Sequence, residues 1–206
     1  MKEIILNSTP EADRVLFIFH GYGADAENLK SVGEIFGDNF PKTEIHIPDG
    51  PEKCRECATG RQWFDLAGDD VNVWNRSCVK DSSMITEYVD SVLSKKNLSY
   101  SDAVFSGFSQ GAMLSLYLGL KHNVKGIISF SGILLCAEEI KHSSASSKVL
   151  LAHGEQDAVI PFESLKITEE ALKHIGVDVE TAVSPGIGHA IDNYLLTRAV
   201  DFLKRL

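Results

Sequence analysis

Unbroken apolar runs of strand length alternate along this chain with segments whose apolar residues recur every three or four positions. The first run is Arg14-Val15-Leu16-Phe17-Ile18-Phe19, continuous rather than alternating, as a strand covered on both faces requires. Asp25 then caps a predicted helix with an apolar face of Leu29, Val32, Ile35 and Phe36. Glu44-Ile45-His46-Ile47-Pro48 predicts a short strand, and Met84, Ile85, Tyr88, Val89, Val92 and Leu93 predict a helix from Asp81 to Lys96. Val104 and Phe105 belong to a buried strand followed by a helix from Ala112 to Leu120 that is apolar nearly all round. Two more buried strands, Lys125–Phe130 and Lys148–Ala152, precede a helix opened by Pro161, which carries Phe162, Leu165, Leu172 and Ile175 and is stopped by Gly176. A strand with Val177, Val179, Thr181 and Val183 and a closing helix with Ile191, Leu195, Ala199 and Leu203 complete the chain.

Strand and helix alternate throughout, and that order predicts an α/β fold with a mostly parallel central sheet and helices on both faces. The one long interruption runs from about residue 50 to 79. Trp63, Phe64, Leu66, Val71, Val73 and Trp74 lie there without a helical or strand period, and loops of that length in compact domains are commonly functional. Trp63, Phe64, Leu66 and Trp74 are therefore expected to line a substrate groove over the sheet edge. The competing expectation is that both tryptophans simply cover that edge.

Length changes the picture little: 206 residues suit one domain, 1–206, with a core of ordinary size. Charge narrows the partners. A formal net charge of −9 would be repelled by phosphate backbones and anionic bilayers, so nucleic acid is not an expected partner. No stretch approaches the roughly 18 apolar residues of a membrane span, and the opening Met1–Asn7 is too short an apolar run for an export signal, so a cytoplasmic protein is expected. A homodimer is left open. Ser143-Ser144-Ala145-Ser146-Ser147 is compositionally biased and predicts a surface loop.

The cysteines are Cys54, Cys57, Cys78 and Cys136, which are expected to stay reduced in such a compartment. Cys54-x-x-Cys57 resembles zinc or redox spacings, but it lies in a Pro/Gly-flanked loop and a zinc site with Cys78 and His46 would be strained. Structural or incidental thiols are the expectation, and no metal or cofactor is implied.

Chemistry concentrates where strands end. Gly107-Phe108-Ser109-Gln110-Gly111 places a serine on a tight strand-to-helix turn, with its hydroxyl projecting and a helix N-terminus beneath it to favour negative charge. A serine hydroxyl needs a base, and that base needs an acceptor to fix its tautomer. His189 follows the last strand and Asp157 the penultimate one, whereas His20, His46 and His153 suit turn or strand backbone and His122, His142 and His174 suit helix ends or surface. Asp178 opens a strand and Asp192 lies in a helix. His20-Gly21-Tyr22-Gly23 lacks the lysine of a phosphate loop and suits an oxyanion-hole loop.

Taken together, Phe19-His20-Gly21-Tyr22-Gly23, Trp63-Phe64-Asp65, Gly107–Gly111, His153-Gly154-x-x-Asp157-x-Val159-Ile160-Pro161 and Gly188-His189 resemble the phospholipase/carboxylesterase family of α/β hydrolases, which includes acyl-protein thioesterases. The resemblance spans nearly the full chain. It implies an α/β-hydrolase fold, Ser109 as nucleophile, Asp157 as acid, His189 as base, and backbone N–H groups of Tyr22 and Gln110 as the oxyanion hole. It also implies hydrolysis of carboxylic esters, acyl thioesters or lysophospholipids, with that choice open. Tyr22 and Ala112 depart from residues common in the family, and the Cys54-x-x-Cys57 pair is outside its pattern. A non-catalytic binding protein on the same fold would need only the pocket; a serine peptidase would need a peptide subsite that nothing here supplies; a thiol redox function rests on Cys54 and Cys57 alone.

Overall fold

Alternate residues along Arg14–Phe19 enter opposite cores: Val15, Phe17 and Phe19 join one apolar cluster, Leu16 and Ile18 the other. This is the period-two consequence of a pleated strand with helices on both sides. The computed structural model describes residues 2–206 apart from 67, 69 and 141–145. Its strands are β1 (Glu3–Leu6), β2 (Arg14–Phe19), β3 (Thr43–Pro48), β4 (Glu52–Lys53), β5 (Arg61–Gln62), β6 (Ala103–Phe108), β7 (Gly126–Phe130), β8 (Lys148–Gly154) and β9 (Asp178–Ser184). The helices are α1 (Lys30–Asn39), α2 (Val71–Lys95), α3 (Gln110–His122), α4 (Glu163–His174) and α5 (Asn193–Lys204).

Seven strands make one sheet in the order β1-β3-β2-β6-β7-β8-β9. All neighbours are parallel except β1, which runs antiparallel to β3. On one face α2, α3 and α4 contribute Ile85 and Val89, Met113 and Leu116, and Leu165 and Leu172. On the other, α1 and α5 contribute Val32 and Phe36, and Leu195, Ala199 and Phe202. This is the α/β-hydrolase architecture, a mostly parallel sheet between two helical layers. Residues Gln110–Leu120 of α3 are buried without a break, so its lack of a polar face reflects a place in the middle of a layer. The register pairs Phe19 with Gly107, Phe108 with Phe130 and Gly154 with Ser184. The loops that leave these strands therefore emerge together along one edge.

Several expectations need correction. The loop expected over 50–79 ends at Asp70: its carboxylate accepts the Asn72 N–H at 2.9 Å and caps α2 at Val71, ten residues before the predicted start at Asp81. Val71 and Val79 are exposed, so this first part of α2 turns few apolar groups inward and leaves no periodic pattern to read. Within the same stretch β4 and β5 form a small antiparallel pair. Ile35, expected on the inward face of α1, is exposed. The edge strand β1 carries no pattern beyond four residues and was not foreseen. Of the serine-rich segment, Ser147 is buried with its hydroxyl donated to Val124 O; Ser143, Ser144 and Ala145, together with His142, lie outside the described residues.

Candidate active site

Ser109 sits between β6 and α3 with φ 54° and ψ −115°. A non-glycine residue in that region is strained and needs its surroundings to hold it. The surroundings do so through two glycines: a Cβ on Gly107 would stand 2.2 Å from Gly111 O, and one on Gly111 would stand 2.0 Å from Phe19 O. Any side chain at either position would push the turn open. The Ser109 N–H donates to Phe130 O at 2.9 Å, while Ser109 O accepts from Ala112 and Met113. Backbone bonds thus fix the turn and leave the side chain facing outward.

His189 and Asp157 arrive from the neighbouring strand ends. His189 Nδ1 lies 2.8 Å from Asp157 Oδ2, and the other carboxylate oxygen accepts the N–H groups of Val159 and Ile160, each at 2.9 Å. Burial works to raise the Asp157 carboxyl, but the bonds from His189 and from the Ile160 and Val159 amides outweigh it and hold the pKa below the ordinary carboxylate value. An ionised Asp157 takes its proton donor from Nδ1–H, which leaves His189 Nε2 as an acceptor. The two loops are tied to each other, since Gln156 N–H donates to Ile187 O and Glu155 N–H to Ser184 O. The His189 ring also packs on Phe108, centroids 4.6 Å apart, next to the candidate nucleophile.

The competing residues have other duties. His153 is buried and its Nε2 lies 2.9 Å from Ile160 O, so it braces the Asp157 loop from within the core. Asp192 caps α5 by accepting the Leu195 N–H and also takes the Ser184 hydroxyl. His46 lies between Glu3 and Glu44. His20 accepts the Gly50 N–H at Nε2 and donates from Nδ1 to Gly21 O, both at 2.8 Å. Burial lowers its pKa, so a neutral imidazole fastens the Gly21-Tyr22 loop to the loop after β3.

The 62–66 segment closes this side. Gln110, the first residue of α3, accepts the Trp63 N–H at 3.0 Å and donates to Phe64 O at 2.7 Å; Trp63 Nε1–H donates to His20 O at 2.7 Å. The sequence named Gln110 only for its backbone N–H. Its side-chain role was missed, although a glutamine at the start of an otherwise apolar buried helix is a signal that it satisfies someone's backbone.

An open cavity of about 540 Å³ lies over Ser109 and His189 and is bounded by Tyr22, Leu29, Val32, Val159 and Ile191, with Asn28 and Ser31 as polar members. Trp63 and Phe64, expected to line a groove, are instead fully buried in the core: Trp63 meets Phe19 edge-on, and the bonds to Gln110 and His20 turn its backbone and indole inward. Leu66 and Trp74 pack half-buried against that same core, Trp74 with its indole N–H on Gly68 O. Among the described residues, no three His, Cys, Asp or Glu side chains gather as metal ligands would, and no helix is long and apolar enough to cross a membrane.

Comparison with known proteins is consistent along the whole chain. Residues 1–206 match the family described as Phospholipase/Carboxylesterase. The chain is 29% identical to Esterase YpfH of Escherichia coli (strain K12), over 98% of this chain and 86% of that one. It is also 29% identical to Acyl-protein thioesterase 1 of Gibberella zeae, over 90% and 84% of the two chains. Among solved structures, esterase PE8 superposes with a TM-score of 0.90 at 31% identity, covering 98% of this chain and 97% of that one.

Proposed function

The chain belongs to the phospholipase/carboxylesterase family, and on that premise we propose that it hydrolyses carboxylic esters and thioesters through an acyl-enzyme on Ser109. The observation that carries this reading is the Asp157–His189 pair facing the cavity into which the Ser109 turn opens. His189 Nε2 takes the Ser109 proton as Oγ attacks the acyl carbon, and Asp157 stabilises the imidazolium that results. The oxyanion is received by the N–H groups of Tyr22 and Gln110. Gln110 begins α3, so its N–H has no acceptor within the helix, and one such donor contributes about 3 kcal/mol to the transition state. His189 then returns the proton to the departing alcohol or thiol. It next deprotonates a water that attacks the acyl carbon, and the carboxylic acid leaves with Ser109 restored. No step calls for a metal or cofactor.

The acyl chain is assigned to the space between Tyr22, Leu29, Val32 and Ile191, in place of the groove expected around Trp63. Seven of the nine described strands share one sheet, with helices packed on both of its faces, which supports reading 1–206 as a single α/β-hydrolase domain. All four cysteines are free thiols, which suits a reducing compartment, and cytoplasmic action belongs to the same proposal. The test is kcat/KM on p-nitrophenyl esters from acetate to laurate and on matched S-acyl thioesters, with native protein and Ser109→Ala. Native turnover of both classes, lost in Ser109→Ala, is expected; turnover that survives the substitution would overturn the reading.

A further inference from the structure

Behind the proposed oxyanion loop lies a pair of thiols that the hydrolytic mechanism does not use. Cys54 is buried and Cys57 exposed, and both sulfurs approach one backbone position. A Cβ built on Gly23 would stand 2.9 Å from the Cys57 sulfur and 3.8 Å from that of Cys54. Gly23 has φ 75°, and it directly follows Tyr22. The Tyr22 hydroxyl, the Cys57 thiol and the N–H groups of Glu56 and Cys57 surround the Cys54 thiol. Burial works to raise this thiol, but those neighbours together hold it below the ordinary cysteine value, while their closeness to Cys54 pushes Tyr22 and Cys57 up.

The cysteine-bearing loop is also stapled to the oxyanion loop through backbone. Gly23 N–H donates to Arg61 O at 2.9 Å and Arg61 N–H to Ala24 O at 2.8 Å, while Cys54 N–H donates to Gly60 O and Gly60 N–H to Cys57 O. Gly60 lies so close that a Cβ there would fall 2.1 Å from Gly23 O. With backbone packed on backbone there is little slack, so a displacement of Cys57 is passed to Gly23 and from it to Tyr22.

We propose that Cys54 and Cys57 form a thiol–disulfide modification site whose oxidation slows the enzyme by drawing Cys57 away from its seat on Gly23 and misaiming the Tyr22 N–H. The coupling rests on the reading of Tyr22 as an oxyanion donor. The oxidant class is a low-molecular-weight disulfide. Cys57, the exposed thiol that such a reagent can reach, gives up its proton to solvent and attacks one of the reagent's sulfurs, forming a mixed disulfide and releasing one thiolate, which is protonated in turn. Cys54 then attacks the Cys57 sulfur and expels the second thiolate, so two protein thiols and one small disulfide become one protein disulfide and two small thiols. Cys78 and Cys136 are also neighbours but are both buried, which makes them the internal control.

The experiment treats native protein with glutathione disulfide, alkylates remaining thiols and digests with trypsin. Arg55 lies between the two cysteines, so the disulfide is read as a two-chain peptide joining Cys54-Arg55 to Glu56–Arg61. That peptide is expected to form and to vanish with dithiothreitol, with Cys78 and Cys136 still alkylated. In step with it, kcat on p-nitrophenyl butyrate should fall about tenfold and recover, less than the loss of a whole oxyanion donor. Cys57→Ser should keep the reduced-state kcat and ignore the oxidant. Glutathionylation without the linked peptide, or a linked protein with unchanged kcat, overturns the proposal. Reduced protein without ester turnover would instead strike the hydrolase reading and with it the coupling, while the linked peptide would still decide the modification site.

Discussion

The turns that follow β6, β8 and β9 and the stretch between β3 and α2 meet at one edge of the sheet, yet they are held there by different means. Ser109, Asp157 and His189 each follow a strand within a few residues, so the sheet register alone brings them together. Trp63 and Phe64 are instead placed by distant groups, Gln110 and the His20 carbonyl. Residues of the first kind are committed by local sequence. Those of the second kind take their position from partners that no short window contains, and the same difference should separate the mutational phenotypes of the two regions.

The sharpest separation is expected at Ser109. Ser109→Ala should lower ester turnover by several orders of magnitude, because the residual rate comes only from binding and the oxyanion site, and a thermal melt close to native would show that the fold is kept. Asp157→Asn should follow with a loss of about three to four orders of magnitude, since the amide no longer fixes the His189 tautomer. Its second signature lies in pH. The Asp157 pKa is depressed in the fold, so its stabilising contribution is complete above the ordinary carboxylate value near ~4 and is lost as the pH falls through the lower folded value. Melting temperatures should drop on that acid limb more steeply for native protein than for Asp157→Asn.

In the second region the expected effect is on stability. Gln110→Ala leaves the buried Trp63 N–H and Phe64 carbonyl without partners and should cost about 2–4 kcal/mol, read as a lower urea midpoint. The backbone N–H at this position remains, so kcat should stay within about tenfold of native. A collapse of kcat with an unchanged midpoint would mean that the side chain acts in catalysis rather than in bracing the segment.

The same contrast explains what was legible from residues alone. Buried parallel strands such as Arg14–Phe19 need continuous apolar runs and so declare themselves. The Ser109 turn declares itself because only glycine fits at Gly107 and Gly111. The start of α2 was hidden because Val71–Lys80 rides mostly on the surface, so its helical state is set by the Asp70 cap and not by an apolar stripe. Apolar content at Trp63 and Phe64 was read correctly as unsolvated but assigned to a groove, since burial in a core and burial against a ligand draw on the same residue types. The cavity walls come instead from the start of α1 and the turn before it, at Val32 and Leu29, and from the loop that leads into α5, at Ile191.

That reassignment gives the smallest predicted effect and still discriminates. Each methylene buried in the cavity adds roughly 0.8 kcal/mol, so kcat/KM should rise from acetate to a medium-length ester and then level. Leu29→Trp should shorten the preferred chain. Trp74→Ala should leave the chain-length profile unaltered and cost about 2 kcal/mol of stability from lost packing. A profile flattened by Trp74→Ala and untouched by Leu29→Trp would return the acyl site to the 62–74 stretch.

Labelling with a fluorophosphonate, followed by peptide mapping, tests the central claim most directly, because the reagent bonds only to a serine whose base and oxyanion donors are in place. One adduct is expected, on Ser109, absent from Ser109→Ala and strongly slowed in Asp157→Asn. An adduct on a different serine, or labelling that persists in Ser109→Ala, would contradict the account.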